Sequence, residues 1–166
     1  AHDAEEVTQF GELAVEELRS LPYKIWLDPD PVATPEAVSA IQQADLIILS
    51  AGSLVTSLMP NLLVTRLFEA IINSRAPVIF IANMLPIDDA IGSLTLGQQC
   101  RWMEQILGKN IIDAIIWPRT RGRPDCDWIT TLVTDVADQN APLRHDKIKL
   151  ITAMDRVVAE FRRNAV

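Results

Sequence analysis

The sequence predicts an α/β fold with a mainly parallel sheet. Three continuous apolar runs, LIIL, VIFIA and IIDAII, are typical of strands that are covered on both faces. Segments with helical periodicity separate these runs, and helices between successive strands imply right-handed parallel crossovers. The chain has 166 residues, of which 49% are hydrophobic, so it is long enough for a sizeable core. We therefore predict a single α/β domain over residues 1–166.

The first half of the chain has two predicted strands and two predicted helices. The first twenty residues give no decided pattern. Thr34 is a good N-cap, and the proline after it suits a first helical turn, so a helix is expected there. The predicted elements are a strand at Tyr23–Leu27, a helix from about Thr34 to Gln43, a strand at Asp45–Leu49 and a helix over Pro60–Asn73.

The second half continues the alternation of strands and helices. Its predicted elements are a strand at Val78–Ala82, a helix at Leu96–Leu107 that stops near Gly108, strands at Ile111–Trp117 and Trp128–Val136, and a helix from about Asp146 to Phe161. The segment Arg119–Pro124 holds three arginines and no apolar residue, which predicts an exposed loop. The apolar face of the last helix is predicted to hold Ile148, Leu150, Ile151, Met154, Val157, Val158 and Phe161.

Charge and composition narrow the classes of partner. The formal net charge is -7, which opposes a broad attraction to nucleic-acid phosphates, so no nucleic-acid partner is expected. The longest apolar runs are shorter than a membrane span, and no leader-like segment opens the chain, so a cytoplasmic protein is expected. Cys100 and Cys126 lack neighbours at metal-finger spacing and are predicted to be free thiols in a reducing compartment.

The stretch SAGSLVTS, Ser50–Ser57, follows the apolar run LIIL and precedes a predicted helix. Gly52 allows a close backbone approach or a positive φ, and Ser53, Thr56 and Ser57 offer hydroxyl and amide donors. Such a turn can bind a phosphate, but Thr56 or Ser57 can equally well only cap the helix. Spacing leaves the two interpretations balanced, because the lysine of a P-loop and the glycines of a dinucleotide motif are absent.

Other polar residues lie where a parallel sheet places its ligands. Asn83 follows an apolar strand, and Arg144 precedes the last helix, where Asp146 can be the N-cap. Arginine suits a bidentate contact to phosphate, although a surface ion pair is its ordinary role. Asp88 and Asp89 form an acidic pair that is more typical of a solvated loop than of a metal site, and no metal is assigned. A serine–histidine–acid triad would have to use His145, but the sequence around Ser50, Ser53 and Ser57 does not resemble a nucleophile elbow, so a hydrolase is disfavoured.

The run ADLIILSAGSLVTSLMPNLLV, Ala44–Val64, resembles the ADLIxxGPGSxxTSxxPxLLV signature of the YvcK/CofD-like family, also called YbhK-type or gluconeogenesis-factor proteins. VIFIANM at Val78–Met84 fits the same family, as do LGKNIIDAIIW and PLRHDKIKL at Pro142–Leu150. The resemblance covers roughly residues 31–162. It implies a three-layer, modified Rossmann-like α/β fold.

The resemblance also implies a function and a set of ligand-binding residues. Members of the YvcK branch look like binders of UDP-sugars that regulate carbon metabolism and cell shape. Members of the CofD branch transfer a phospholactyl group to a deazaflavin, with magnesium as a possible cofactor. By resemblance, the ligand-binding residues here are Ser50, Gly52, Ser53, Thr56, Ser57, Asn83 and Arg144.

Two departures from the family pattern shape these expectations. Ser50-Ala51 replaces the usual Gly-Pro, and the GGGxG and D-x-GGS segments expected near the start are not found, so we expect the C-terminal portion of the pattern. A binder without catalysis and without a firm cofactor is then favoured over a 2-phospho-L-lactate transferase. An interaction module that has lost small-molecule binding is a third alternative. A homo-oligomer is also expected, because a missing strand would uncover a sheet edge.

Overall fold

The computed structural model describes residues 2–3 and 8–164 and confirms the α/β class. Most of the opening segment Ala1–Glu6 lies outside the described residues. The elements in chain order are β1 (His2–Asp3), α1 (Glu12–Glu16), β2 (Pro22–Lys24), α2 (Pro35–Gln42), β3 (Ile47–Leu49), a π-helical turn (Leu54–Leu58), α3 (Met59–Leu62), α4 (Thr65–Asn73), β4 (Val78–Ile81), α5 (Leu96–Leu107), β5 (Ala114–Pro118), a 3-10 turn (Arg119–Arg121), β6 (Thr130–Thr134) and α6 (Lys147–Asn164).

These elements belong to two compact units. The first unit comprises Ala1–Ala44, Gly52–Arg75 and Ile87–Ile111, and the second comprises Asp45–Ala51, Ala76–Pro86 and Ile112–Val166. The second unit holds the parallel sheet, whereas the first unit holds most of the helices and one small antiparallel strand pair.

The second unit is built on a four-stranded sheet in the order β3-β4-β5-β6, and every pairing is parallel. All residues of β4 and β5 are buried. This burial agrees with the continuous apolar runs, because a central parallel strand is covered on both faces. The prediction of a mainly parallel sheet is therefore confirmed.

Strand β5 begins three residues later than the apolar run that predicts it. Asp113 breaks the run, and its carboxylate accepts a hydrogen bond of 2.8 Å from the Val78 backbone N–H. The Asp113 N–H in turn donates to the Val78 carbonyl at 2.9 Å. Regular pairing starts at the next residue, with Ala114 opposite Ile79. The Asp113 side chain thus replaces a backbone carbonyl as the hydrogen-bond acceptor at the start of the pairing. Ile111 and Ile112, which precede the strand, are buried.

Helix α6 covers the second unit's sheet by packing against β5 and β6. Its buried face is centred on Ala153 and Val157, which join the core formed by the strands. The prediction that Ile148 and Ile151 belong to this face is wrong, because they are 69% and 42% exposed. At about 100° per residue, Ile148 lies roughly opposite Val157 around the helix axis.

In the first unit, the predicted continuous helix Pro60–Asn73 is wrong. It is divided into α3 and α4, and the segments Leu54–Leu62 and Thr65–Asn73 meet at 77°. Between them Val64 has an extended backbone, and its carbonyl accepts from the N–H groups of Leu67 and Phe68. Three successive apolar residues cannot all lie on one face of a straight helix, and the bend buries Leu62 and Val64 together.

The start of the first unit is less regular than predicted. The strand predicted at Tyr23–Leu27 is limited to β2, Pro22–Lys24, which pairs antiparallel with β1. Its position relative to α5 is fixed by Trp102, whose buried indole N–H donates to the Pro22 carbonyl at 2.8 Å. Helix α1 lies within the first twenty residues, for which no element is predicted.

Cys100 and Cys126 are thiols outside any disulfide, as predicted, and the structure buries both. Across the described part of the chain, no single helix is long and apolar enough to cross a membrane. The segments Leu54–Leu62 and Thr65–Asn73 reach the length and hydropathy of a membrane span only when they are counted together, and they are bent by 77°.

Helices α2 and α5 form close to their predicted bounds, and Thr34 is the N-cap of α2 as predicted. Thr34 accepts from the Ala37 N–H, and Thr95 forms a capping box with Gln98. Helix α5 ends at Gly108, whose φ of 72° is the left-handed conformation that favours glycine. The helix ends are therefore fixed by local side-chain chemistry that the sequence shows directly.

We predict that Thr95→Ala lowers the free energy of unfolding by about 1 kcal/mol, because the Gln98 N–H loses its acceptor. Thr95→Ser keeps the hydroxyl and is the matched control. Urea denaturation followed by circular dichroism measures both. Equal stabilities for the alanine and serine variants would contradict this role for the capping box.

Candidate functional site

The part of SAGSLVTS that follows Ala51 lies in the first unit, where Leu54–Leu58 form a π-helical turn that is capped by Ser53. The Ser53 carbonyl accepts from both the Ser57 N–H at 3.0 Å and the Leu58 N–H at 3.1 Å. The Ser53 hydroxyl accepts from the Thr56 N–H at 3.2 Å. Ser53 is therefore the N-cap, and the alternative in which Thr56 or Ser57 caps the helix is wrong.

Close packing, and not a positive φ, favours glycine at position 52. Its φ is not positive, unlike that of Gly108. A Cβ added at Gly52 would lie 3.3 Å from the Cβ of Ser57 and 3.6 Å from a methyl carbon of Leu58. A small residue at this position therefore lets the turn close on itself, and Ser57 is left exposed.

Thr56 already has an anionic partner in the first unit. Its hydroxyl donates to a carboxylate oxygen of Glu16 at 2.8 Å. Thr56 also lies at the wall of an open pocket of about 260 Å³, whose other walls include the aromatic side chains Phe10 and Trp26. The two rings are arranged edge to face, with centroids 6.2 Å apart. The Thr56 hydroxyl is therefore engaged by a carboxylate of the chain itself.

In the second unit, Ser50 and Asn83 lie at the same edge of the sheet. Ser50 directly follows β3, and Asn83 lies two residues after the end of the neighbouring β4. Ser50 is exposed and Asn83 is half-buried. This is the carboxyl edge, where ligands of open parallel sheets bind.

Arg144 lies in a loop that reaches the same edge. One ring nitrogen of His145 is 3.1 Å from the carbonyl oxygen of Ala82, just beyond β4. Asp146 is the N-cap predicted for the last helix, since its carboxylate accepts from the Lys149 N–H at 2.9 Å. Arg144 itself is exposed, and its backbone is fixed by hydrogen bonds with Ala141 and Asp138. The second unit therefore places Ser50, Asn83 and Arg144 around the carboxyl edge of one sheet.

Arg121 is a further residue of this edge, and the prediction of a simply exposed loop at Arg119–Pro124 is wrong for it. Its guanidinium carbon lies 4.1 Å from the centroid of the Trp117 ring, and Nη1 donates to the Asn83 carbonyl at 3.3 Å. Arg121 is half-buried, and burial lowers the pKa of its guanidinium because desolvation penalises the charged form. The sequence feature that could have predicted this stacking is the spacing of four residues between Trp117, near the end of β5, and Arg121.

The acidic pair Asp88 and Asp89 has structural contacts in the first unit. Asp88 forms an exposed salt bridge of 3.7 Å with Arg19, and Asp89 accepts from the Gly92 N–H. Within residues 2–3 and 8–164, no group of three or more histidine, cysteine, aspartate or glutamate side chains could hold a metal ion.

Comparison with known proteins places these features in a family context. The family model described as "2-phospho-L-lactate transferase CofD" matches residues 1–161. A curated relative from Pasteurella multocida with a gluconeogenesis-factor name is 36% identical over 153 residues, which are 91% of this chain and 49% of that protein. A relative from Vibrio cholerae with the same type of name is also 36% identical, over 87% of this chain and 49% of its own length.

A more distant relative and a solved structure agree with this context. The "Gluconeogenesis factor" of Bacillus subtilis is 32% identical over 64% of this chain and 34% of its own length. A crystal structure of a UPF0052-family protein from Bacillus halodurans has a TM-score of 0.75 at 24% identity, and it covers 92% of this chain and 56% of that chain. This chain spans about half the length of the curated relatives that match most of it.

We expect Ser53→Ala to lower the free energy of unfolding by about 1 kcal/mol, because the partly buried Thr56 N–H loses the acceptor at the start of the turn. Ser57→Ala is the matched control and should stay within about 0.5 kcal/mol of the parent, since Ser57 is exposed. Urea titration of both variants is the measurement. A Ser57→Ala effect as large as that of Ser53→Ala would refute the assignment of the cap.

Proposed function

Because this chain belongs to the CofD family, whose model matches residues 1–161, we propose that it binds a nucleotide sugar of the UDP-sugar class. In this proposal it is a regulatory binder of the gluconeogenesis-factor type, linked to carbon metabolism and cell shape. The observation that carries the proposal is the family match together with relatives of gluconeogenesis-factor name that cover about nine-tenths of the chain.

The geometry of the second unit supports a nucleotide ligand. Strands β3 and β4 are apolar along their length, and polar side chains lie just beyond their ends. Arginine donates several hydrogen bonds in a planar arrangement that matches phosphate oxygens. We assign Asn83 to a polar group of the ligand and Arg144 to its diphosphate, with Ser50 at the rim.

The geometry of the first unit supports a second set of contacts. The assigned residues are Gly52, Ser53, Thr56 and Ser57. Thr56 binds the Glu16 carboxylate, so its hydroxyl is oriented toward an oxygen anion. A phosphate oxygen at Thr56 would replace that carboxylate, and the negative charge of Glu16 would oppose its approach. Neutralising Glu16 should therefore strengthen phosphate binding at this turn.

A second candidate function is the transfer named by the family model, 2-phospho-L-lactate transferase. In such a reaction the phospholactyl group forms a bond to a hydroxyl of the deazaflavin precursor while its bond to a nucleoside monophosphate breaks. This alternative predicts release of the nucleoside monophosphate, whereas a pure binder releases none. A turnover assay with and without magnesium separates the two.

We predict that isothermal titration calorimetry detects binding of UDP-N-acetylglucosamine to this chain. Arg144→Ala should weaken that binding by about tenfold or more, because a charge-assisted hydrogen bond to phosphate is lost. Arg162→Ala, in the last turn of α6, removes an equal charge away from the carboxyl edge and is the control. Absence of any heat of binding, or equal effects of the two substitutions, would refute the proposal.

We also predict that Glu16→Gln raises the affinity for UDP-N-acetylglucosamine, because a negative charge beside Thr56 is removed. Glu17→Gln is the matched control, since it makes the same change one residue further along the chain. The same calorimetric titration measures both variants. A weaker affinity in Glu16→Gln would indicate that Glu16 itself binds the ligand, and it would contradict the assignment of Thr56 to phosphate.

A further inference from the structure

The side chain of Arg121 is held in a defined position at the carboxyl edge of the second unit's sheet. The 3-10 turn that carries it follows β5 without a gap. The guanidinium stacks over the Trp117 ring at 4.1 Å, and Trp117 is only 4% exposed. The Trp117 indole N–H donates to the Gly122 carbonyl at 3.0 Å, so the C-terminal end of the turn is fixed to the ring at two successive residues.

The positive charge of Arg121 is not neutralised within the described part of the chain. No salt bridge joins its guanidinium to a carboxylate among these residues, and desolvation is the cause of its lowered pKa. Lys149, in contrast, pairs with Asp135 at 2.7 Å. A partly buried cation without a counter-ion is destabilising on its own, and an anionic ligand removes that penalty.

Arg121 also has hydrogen-bond donors to spare. A guanidinium carries five N–H donors, and in the region that the structure describes the Asn83 carbonyl is the one acceptor of this side chain. The stacking on Trp117 fixes the plane of the guanidinium N–H groups before a ligand binds, which lowers the entropy cost of binding. Its contact with Asn83 joins it to a residue already assigned to the ligand.

We propose that Arg121 is an anion-binding residue that contacts a phosphate group of the nucleotide ligand at the carboxyl edge of the second unit's sheet. The proposal rests on the proposed nucleotide function. It adds a phosphate contact, supplied by an arginine on a tryptophan platform, that the family signature does not include. Trp117 is a positioning residue that acts through Arg121.

The test compares UDP with uridine, which lacks phosphate, in calorimetric titrations of the full chain. Arg121→Gln should weaken UDP binding by about tenfold or more and leave uridine binding unchanged. Arg121→Lys keeps the positive charge and should retain part of the affinity, although lysine lacks the planar N–H donors of a guanidinium. Arg119→Gln removes an exposed charge from the same turn and should change neither titration.

Tryptophan fluorescence gives a second measurement that a purely structural role would not change. Anion binding at Arg121 should alter the emission of Trp117, so UDP should produce an emission change that is lost in Trp117→Phe. Inorganic pyrophosphate should produce a similar change in the parent and none in Arg121→Gln. Circular dichroism confirms that each variant is folded.

The outcomes separate this inference from the proposed function. Undiminished UDP affinity in Arg121→Gln would overturn the inference and leave the function standing, and so would an equal loss of UDP and uridine binding. A parent chain that binds neither UDP nor UDP-N-acetylglucosamine would overturn the function. If a chain that binds neither nucleotide still binds pyrophosphate through Arg121, the anion site is supported although the proposed nucleotide function is refuted. Failure to bind pyrophosphate as well would overturn both.

Discussion

The burial of the two central strands on both faces is the constraint on which the second unit depends. Strands β4 and β5 have no exposed residue, so no side chain along their length can meet water or a soluble ligand. Polar chemistry is therefore confined to the strand ends, where Asn83 and Arg121 lie. Parallel pairing brings these ends to one edge, and the carboxyl edge becomes the place where phosphate-binding groups collect.

The same constraint explains why the polar groups of this edge support one another. Beyond the strand ends the backbone carbonyls of Ala82 and Asn83 no longer pair within regular strands, and His145 and Arg121 take them as partners. Structural hydrogen bonds thus position the side chains that are assigned to a ligand. The first unit uses another device, since Ser53 caps its turn and Thr56 holds a carboxylate.

Features set by local sequence were predictable, and features set by distant contacts were not. The buried strands and the caps at Thr34, Thr95 and Asp146 follow from apolar runs and short-range hydrogen bonds. The division between α3 and α4, the exposure of Ile148 and the stacking of Arg121 depend on tertiary packing. The site residues named by resemblance stay predictions, because their role concerns a ligand and the sequence alone shows only the donors.

Hydrogen–deuterium exchange with and without saturating UDP-N-acetylglucosamine tests the central claim most directly. The claim is that a nucleotide ligand binds at the carboxyl edge of the parallel sheet. It predicts slower amide exchange in peptides that contain residues 82–84 and 119–122, with little change in peptides from the far end of α6. Protection confined to other segments, or no protection under conditions where calorimetry shows saturation, would contradict the claim.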